Sequence, residues 1–278
     1  MLRLLTIELH KLRYNKSAKV ISIVYFILIT FIALISSIEF NFGAINFRIA
    51  DQGIFNFPYI WHFNSYIAAI LKLFLAIVIV SMTANEYSNK TLKQNLIDGL
   101  SKKEFILSKF ITVVLFSLVS TLFVFGVSLI LGLIFSDYNE PGIIFSDIEY
   151  LFAYFVKLIG FFSFCLFLGI LVKRSAFALG FLLIWSISEG IIYSIFKWKI
   201  FKDTDIAESM IQFFPLTAMS NLIKEPFSRL GAVQTAANQL GEAFDKDYSV
   251  QSLTVIIVMV WTFLFIFGSY YILKRRDL

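Results

Sequence analysis

The sequence predicts an all-α integral membrane protein with six transmembrane helices. Of its 278 residues, 59% are hydrophobic and only 15% are charged, and its mean hydropathy is +0.81. Soluble domains contain about 45–50% apolar and about 25% charged residues. Six apolar runs each supply the about 20 residues that a helix needs to cross the hydrocarbon core. They lack the alternation of apolar and polar residues that is typical of a transmembrane β-barrel. We therefore expect one transmembrane domain over residues 1–278.

The six predicted spans are distributed along the whole chain. They cover about residues 18–38, 61–83, 105–135, 150–172, 175–196 and 253–273. A cleaved signal peptide is the alternative for the first run. That run is longer than the core of a typical signal peptide, and the sequence SSIEFNF that follows it has no clear small-x-small cleavage site. We therefore expect it to remain as the first span.

The distribution of basic residues predicts that both termini are cytoplasmic, because short cytoplasmic loops carry an excess of Lys and Arg. One side of the predicted spans holds Arg3, Lys11, Arg13, Lys16, Lys19, Lys90, Lys93, Lys102, Lys103, Lys109, Lys173, Arg174, Lys274, Arg275 and Arg276. The short connections on the other side hold only Arg48, and the connection 197–252 counts less because it is long. Since the placement of these charges matters more than the net value of +5, we expect no nucleic-acid partner.

The N-terminal residues 2–14 predict a cytoplasmic amphipathic helix. Four leucines fall on one stripe of such a helix: Leu2, Leu5, Leu9 and Leu12. Basic side chains occupy its other faces, which is typical of a helix that lies among the lipid headgroups. A short frayed tail is the alternative.

The segment EYSNKTLKQNLIDGLSKKEF, residues 86–105, separates the second and third predicted spans. Residues 86–98 favour one short amphipathic helix. Three leucines recur at every fourth position: Leu92, Leu96 and Leu100. Gly99 is a suitable C-terminal cap, and Ser101 with Glu104 has the pattern of a capping box at the start of the next helix. The sequence therefore predicts a short helix, a sharp turn and a long helix, with a polar face towards the cytoplasm.

Part of the long external connection is apolar. Residues 211–223, IQFFPLTAMSNLI, are too short to cross the membrane, and they predict a re-entrant hairpin in the outer leaflet, with an ordinary surface loop as the alternative. The centre of this hairpin is Phe214, Pro215 and Leu216. The polar residues 225–247 should be helical in part. Residues 40–63 are rich in aromatic side chains and should lie at the headgroups.

Three charged residues fall within the predicted spans: Lys72, Lys157 and Glu189. Such residues are costly in lipid and tend to face the interior of a bundle or water. Counted from the external ends of their spans, all three lie in the outer half of the membrane. We expect Glu189 to pair with Lys157 or Lys72. The alternative is that both lysines extend towards the surface or line a wet cavity.

Common catalytic, cofactor-binding and metal-binding motifs are absent from the sequence. It contains no Gly-x-x-x-x-Gly-Lys-Ser/Thr, no His-Glu-x-x-His and no Gly-x-Ser-x-Gly pattern. Its two histidines, His10 and His62, lie on opposite sides of the predicted membrane, and Cys165 lies in an apolar run. We expect no catalytic residue, no metal and no cofactor in this chain, so that energy for any active process comes from another protein.

A family resemblance rests on residues around the second connection. They are Glu86, Tyr87, Thr91, Leu92, Lys93, Leu96, Gly99, Ser101, Lys102, Phe105, Ser108 and Lys109. This pattern resembles the membrane subunits of ABC-2-type exporters, which usually have Gly where Lys90 stands and often have Arg where Lys102 stands. The six spans, the N-terminal amphipathic helix and the hairpin around Pro215 extend the resemblance to the whole chain.

The resemblance implies a permease of an ATP-driven exporter in the bacterial cytoplasmic (inner) membrane. In such exporters a coupling helix, here within residues 86–104, docks into a separate cytoplasmic subunit that binds ATP and Mg²⁺. Two permease copies, identical or closely paralogous, assemble in the lipid membrane. Docking charges would come from Glu86, Lys93, Lys102 and Lys103, and Leu92, Leu96 and Leu100 would pack against the spans or the partner.

Other functions remain open at the level of the sequence. A related membrane subunit could act mechanically on a periplasmic partner through residues 197–252. An ATP-independent channel or carrier would require broken helices or inverted repeats, and no convincing internal repeat is visible. A membrane-embedded enzyme is disfavoured by the missing catalytic residues. The 33 Phe residues suit an amphiphilic substrate such as a lipid, a peptide or a drug.

Overall fold

A computed structural model describes residues 2–42, 45–202, 206–239 and 246–276 of the chain. Within these ranges six helices are long and apolar enough to cross a membrane, which confirms the predicted all-α membrane class. In chain order the helices are α1 (Leu2–Tyr14), α2 (Lys16–Ser37), α3 (Tyr59–Ser88), α4 (Thr91–Ile97), α5 (Lys102–Phe135), α6 (Pro141–Ile144), α7 (Glu149–Val172), α8 (Ser175–Ile195), α9 (Ile206–Ile211), α10 (Pro215–Asn221), α11 (Gly231–Gln239) and α12 (Ser252–Arg275). A π-helical turn, Phe196–Ile200, continues α8, and 3₁₀ turns cover Ile49–Gln52 and Phe227–Arg229.

Helix α7 is the centre of the bundle. It packs mainly against α3 and α12, and also against α5 and α8. Its side chains are buried around most of its circumference, as expected for a helix that is apolar on all faces. Cys165 is fully buried there and serves as a small apolar residue.

Helices α2, α8 and α12 form the outside of the bundle. Large apolar side chains on them are exposed in the single chain, among them Phe31, Leu183 and Phe263. In a protein that spans the membrane, such faces contact lipid tails or another chain. The same exposure in a soluble protein would be costly.

The two ends of the bundle differ in construction. We call the end that contains α1, α4 and the last turn of α12 the elbow end. The opposite end, with residues 39–42, 45–58, 136–148, 196–202, 206–239 and 246–251, is the loop end. Among these described residues are four short helices: α6, α9, α10 and α11. The predicted partial helix in residues 225–247 is present as α11, while residues 240–245 lie outside the described part of the chain.

The aromatic segment before α3 contains structure that was not predicted. It begins with an antiparallel hairpin of β1 (Glu39–Phe42) and β2 (Ile45–Arg48), in which Phe40 pairs with Phe47. Phe57 is buried against α5. A Cβ atom on Gly132 would lie only 2.2 Å from the Phe57 ring, so the missing side chain makes room for it. The expected position of this segment at the headgroups stays a prediction.

Candidate coupling site

The connection between α3 and α5 is a rigid turn, which we call the elbow (residues 89–101). Gly99 has φ +94° and ends α4, because Leu100 donates its N–H to the Asn95 carbonyl and Gly99 donates to Leu96. These two bonds form a Schellman motif, which satisfies carbonyls at the helix end. The elbow therefore has a defined geometry at the end of α4, and the predicted cap at Gly99 is confirmed.

The next helix begins with the predicted capping box. The Ser101 hydroxyl accepts the Glu104 N–H at 3.2 Å, and the Glu104 carboxylate accepts the Ser101 N–H at 2.9 Å. Both donors would otherwise lack a helical partner. Helix α5 therefore starts at the elbow itself and continues as one helix of 34 residues.

The predicted helix over residues 86–98 is wrong at its beginning. Helix α3 continues through Glu86 and Tyr87 to Ser88, and α4 starts only at Thr91. Lys90 lies between them in the left-handed conformation, with φ 57°. Glycine adopts this conformation without steric cost, which explains why the family pattern usually has Gly where Lys90 stands.

Helix α4 packs its leucines inward and exposes its polar residues. Leu92 is buried in the core of the bundle, and Leu96 and Leu100 pack partly against it, so these leucines contact the spans as predicted. Lys93 and Lys103 are exposed. Between these two lysines in sequence, the apolar side chain of Ile97 is 74% exposed.

Two of the predicted docking charges are engaged within the chain. Lys102 donates to the Arg276 carbonyl at 2.9 Å and to the Lys274 carbonyl at 3.3 Å, and thereby joins the start of α5 to the end of α12. A Lys at a helix C-terminus satisfies carbonyls that have no helical partner. Glu86 is buried and faces the interior. Both residues therefore have a structural role within the chain, and their docking role stays a prediction.

Glu86 belongs to a buried ionic group that we call the elbow cluster: Glu8, Lys11, Glu86 and Lys109. The ammonium of Lys109 is fully buried, lies 2.5 Å from Glu8 Oε2 and also pairs with Glu86. Lys11 lies 3.0 Å from Glu86 and 3.2 Å from Glu8. Two carboxylates and two ammonium groups thus neutralise each other, as buried charges require.

The elbow cluster joins four helices. Its residues come from α1, α3 and α5, and Asn95 of α4 donates to Glu86 at 3.5 Å. Burial lowers the pKa of Lys11, but the carboxylates of Glu86 and Glu8 more than offset this effect and raise the pKa above its ordinary 10.5. Lys11 is therefore charged at neutral pH. A groove of about 420 Å³ lies between α1 and the elbow, next to this cluster.

Glu189 does not pair with a lysine among the described residues, so the predicted pair is wrong. Its carboxylate accepts the Thr217 N–H at 2.8 Å and the Leu216 N–H at 3.1 Å, and it also accepts from Trp185 Nε1. These amides lie at the start of α10, where backbone donors lack helical acceptors and Pro215 supplies none. Glu189 therefore satisfies the backbone of a non-spanning segment.

We call residues 213–224 the loop-end segment. Side chains from four spans form hydrogen bonds with its backbone. Besides Glu189 of α8, Lys157 of α7 donates to the Ser220 carbonyl at 3.3 Å. Trp261 of α12 donates to the Phe213 carbonyl at 2.8 Å, and His62 of α3 donates to the Lys224 carbonyl at 2.8 Å. Irregular backbone at membrane depth requires this kind of satisfaction by protein groups.

Lys72, the third predicted intramembrane charge, lines a cavity between α3, α7, α8 and α10. Its ammonium lies 4.7 Å from the centre of the Phe161 ring. The sequence left two alternatives for these lysines, a pair with Glu189 or a position at the surface or at a cavity. In the structure Lys72 lines a cavity, and Lys157 donates to a backbone carbonyl.

Sequence reasoning missed several of these residues. Lys109 was predicted only as one of the cytoplasmic basic residues and Glu8 received no prediction, yet the two meet across 101 positions of the chain. A signal existed for Glu8, because it is the one acidic residue in a helix otherwise rich in Lys and Arg. No local pattern distinguishes Ile97 from the leucines of α4.

Comparison with protein families gives one match. The family model described as ABC-2 family transporter protein matches residues 4–189. The matched region contains the elbow and the whole elbow cluster, and it ends at Glu189. No curated protein matches the chain.

Proposed function

Because the chain belongs to the ABC-2 transporter family, we propose that this multi-pass membrane protein is the permease subunit of an ATP-driven exporter. It forms the translocation path, and a separate cytoplasmic subunit binds ATP and Mg²⁺ and docks at the elbow end. The observation that supports this proposal best is the elbow, a docking surface fixed at both helix ends and continuous with a span.

The mechanical argument rests on stiffness. A helix of 34 residues such as α5 is about 51 Å long and starts at the elbow, so a displacement of α4 moves the whole span. The elbow cluster connects the same displacement to α1 and α3. A flexible loop would absorb the movement instead, because it has no fixed end geometry.

The exposed face of α4 indicates the chemistry of the docking site. Ile97 is the apolar anchor, and of the predicted docking charges Lys93 and, at the start of α5, Lys103 are exposed. Interfaces place apolar anchors at their centre and charges at their rim, where the charges direct association. The matching cleft of the ATP-binding subunit therefore has an apolar pocket and an acidic rim.

The assembly follows the family pattern. Two permease copies, identical or paralogous, associate through the exposed apolar faces of their outer helices, in contact with membrane lipid. The elbow end with both termini is cytoplasmic, and the protein resides in the bacterial inner membrane. The loop-end segment around Phe214, Pro215 and Leu216 is then the re-entrant element of the outer leaflet.

Co-purification tests this function. The chain is co-expressed with an ATPase that carries a Gly-x-x-x-x-Gly-Lys-Ser/Thr motif, beginning with one encoded in the neighbouring reading frame. We expect a stable complex, and we expect Ile97→Asp to reduce the recovered ATPase by about tenfold or more, as for an interface anchor. Arg174→Glu, an exposed charge reversal between α7 and α8, is the matched control and should leave recovery unchanged. Solute transport by the purified chain without nucleotide would contradict the proposal.

One observation favours a second function, mechanical action on a periplasmic partner through residues 197–252. Four spans are bonded to the loop-end segment, so a movement of the spans would move this segment. Under this alternative, ATP hydrolysis by the complex would change hydrogen exchange in 213–224 while no candidate solute crosses the bilayer. Nucleotide-dependent solute movement in proteoliposomes would exclude it in favour of export.

A further inference from the structure

The cavity at Lys72 has the features of a binding site. It has a volume of about 270 Å³, and Ser186, Ser220 and Phe161 are among the residues that line it. We propose that this cavity binds the anionic headgroup of an amphiphile, with Lys72 as the residue that contacts the anion.

The charges around the cavity carry the argument. Within the described ranges, no carboxylate forms an ion pair with Lys72. Glu189 lines a cleft that shares residues with this cavity, but its oxygens accept hydrogen bonds from Trp185, from Thr217 and from the backbone amide of Leu216. Lys157 donates to the carbonyl of Ser220, a residue that also lines the cavity.

The depth of the cavity makes an uncompensated charge significant. Lys72 lies about 20 Å from the first residue of α3, a helix of 30 residues and about 45 Å, so it lies in the middle part of this span. Ionisable residues at such depth occur where they serve a ligand or ion pathway. The contact with Phe161 favours the ammonium, but a ring carries no charge and leaves room for an anion.

The rim of the cavity indicates an amphiphile rather than a free anion. The rim residues Ile70 and Leu183 are 54% and 60% exposed on the apolar surface of the spans. An alkyl tail can lie on that surface while its headgroup reaches Lys72. The cavity also shares Ser186 and Ser220 with a second cleft of about 440 Å³, which gives a larger headgroup room to extend. In naming a substrate class, the inference rests on the proposed function, but binding itself needs no ATPase.

Binding to the purified full chain in phosphatidylcholine nanodiscs tests the proposal. Native mass spectrometry measures retained dodecyl phosphate, the uncharged dodecyl maltoside and inorganic phosphate. We expect dodecyl phosphate to bind, Lys72→Met to weaken it by about tenfold or more, and Lys72→Arg to restore it to within about threefold. Lys173→Met is the matched control, because Lys173 also lies over an aromatic ring, 5.8 Å from that of Tyr87, but at the elbow end.

The outcomes separate the possibilities. Equal binding of dodecyl phosphate by wild type and Lys72→Met, or equal binding of dodecyl maltoside, would overturn the proposal. Binding of inorganic phosphate as tight as that of dodecyl phosphate would overturn the role of the tail. If phosphatidylglycerol displaces dodecyl phosphate, the result supports the site with a bilayer lipid as its occupant. If phosphatidylglycerol fails to displace it, the result supports the site with a transported amphiphile as its occupant.

Stability provides a second readout. Lys72→Met should unfold at the same or a higher temperature, because it removes an uncompensated buried charge. A lower unfolding temperature would assign Lys72 a structural role and overturn the proposal. If binding fails while the ATPase still co-purifies, only this inference fails and the proposed function stands.

Discussion

The elbow cluster and the loop-end segment are polar regions at opposite ends of the bundle, and they are stabilised differently. At the elbow end, charged side chains neutralise each other: Lys109 with Glu8 and Glu86, and Lys11 with the same two carboxylates. At the loop end, side chains from four spans bind backbone atoms of residues 213–224.

This difference follows from what each region must satisfy. In the elbow cluster, charged side chains from α1, α3 and α5 bind one another and thereby link these helices. The loop-end segment contains only short helical turns, and several of its amides and carbonyls take their partners from side chains of the spans. The first region therefore joins helices to each other, while the second holds a segment in place.

The largest loss of unfolding free energy should come from breaking the elbow cluster. Lys109→Met leaves two carboxylates buried without their main partner, and such a loss costs about 3–5 kcal/mol of unfolding free energy. Unfolding in detergent, followed by circular dichroism, measures it. Adding Glu8→Gln and Glu86→Gln should recover most of the loss, because no buried carboxylate is then left unpaired and the ammonium of Lys11, whose side chain is 36% exposed, can be solvated. Lys103→Met, an exposed lysine near the start of the same helix, should change stability by less than about 0.5 kcal/mol.

A smaller and more local effect is expected at the loop end. Glu189→Ala leaves the amides of Leu216 and Thr217 without acceptors, which should cost about 2–3 kcal/mol. Hydrogen exchange should rise in residues 213–224 but not in the elbow. Glu189→Gln keeps an acceptor and should lose less. If exchange rose equally at both ends, the two regions would form one cooperative unit and the comparison would fail.

At the elbow itself, substitution of Gly99 should lower the stability of the protein through backbone strain alone. A Cβ atom on Gly99 would meet nothing within 4 Å, so Gly99→Ala introduces no clash. The left-handed φ of +94° should still cost about 1 kcal/mol, and Gly99→Asn should cost less. Gly126→Ala, at a helical position that also has open space, is the control and should be neutral or stabilising. An equal loss in both variants would show that the left-handed turn is not required.

The smallest effect concerns an exposed ion pair at the loop end. Hydrogen bonds from Lys197 and Tyr193 lower the pKa of Glu208 below its ordinary 4.5. Because the folded-state pKa is depressed, the contribution to stability is present above about pH 4.5 and is lost as pH falls through the lower folded value. Glu208→Gln should cost less than about 0.5 kcal/mol, since both side chains are exposed to screening solvent. A larger pH-dependent loss would show that surface charge also stabilises this end.

Several features of the candidate site could be predicted because they are local. The cap at Gly99 and the capping box at Ser101 depend on residues within one helical turn, and both are present. The similar level of Lys157 and Glu189 along the bundle was also predictable, and both side chains bind backbone atoms of the same short helix, α10. The partner of Glu189 was not, because residue counting gives position along a helix but not the direction in which a side chain points.

The sequence by itself determined the six spans, the amphipathic N-terminal helix and the elbow, since hydrophobic length, periodicity and capping are properties of consecutive residues. Only the tertiary structure decided that Glu86 and Lys109 are buried together, that Phe57 fills the space above Gly132, and that Lys72 has a cavity beside it. These arrangements bring together residues that are far apart in the chain, and their energies depend on which groups the packed bundle removes from water.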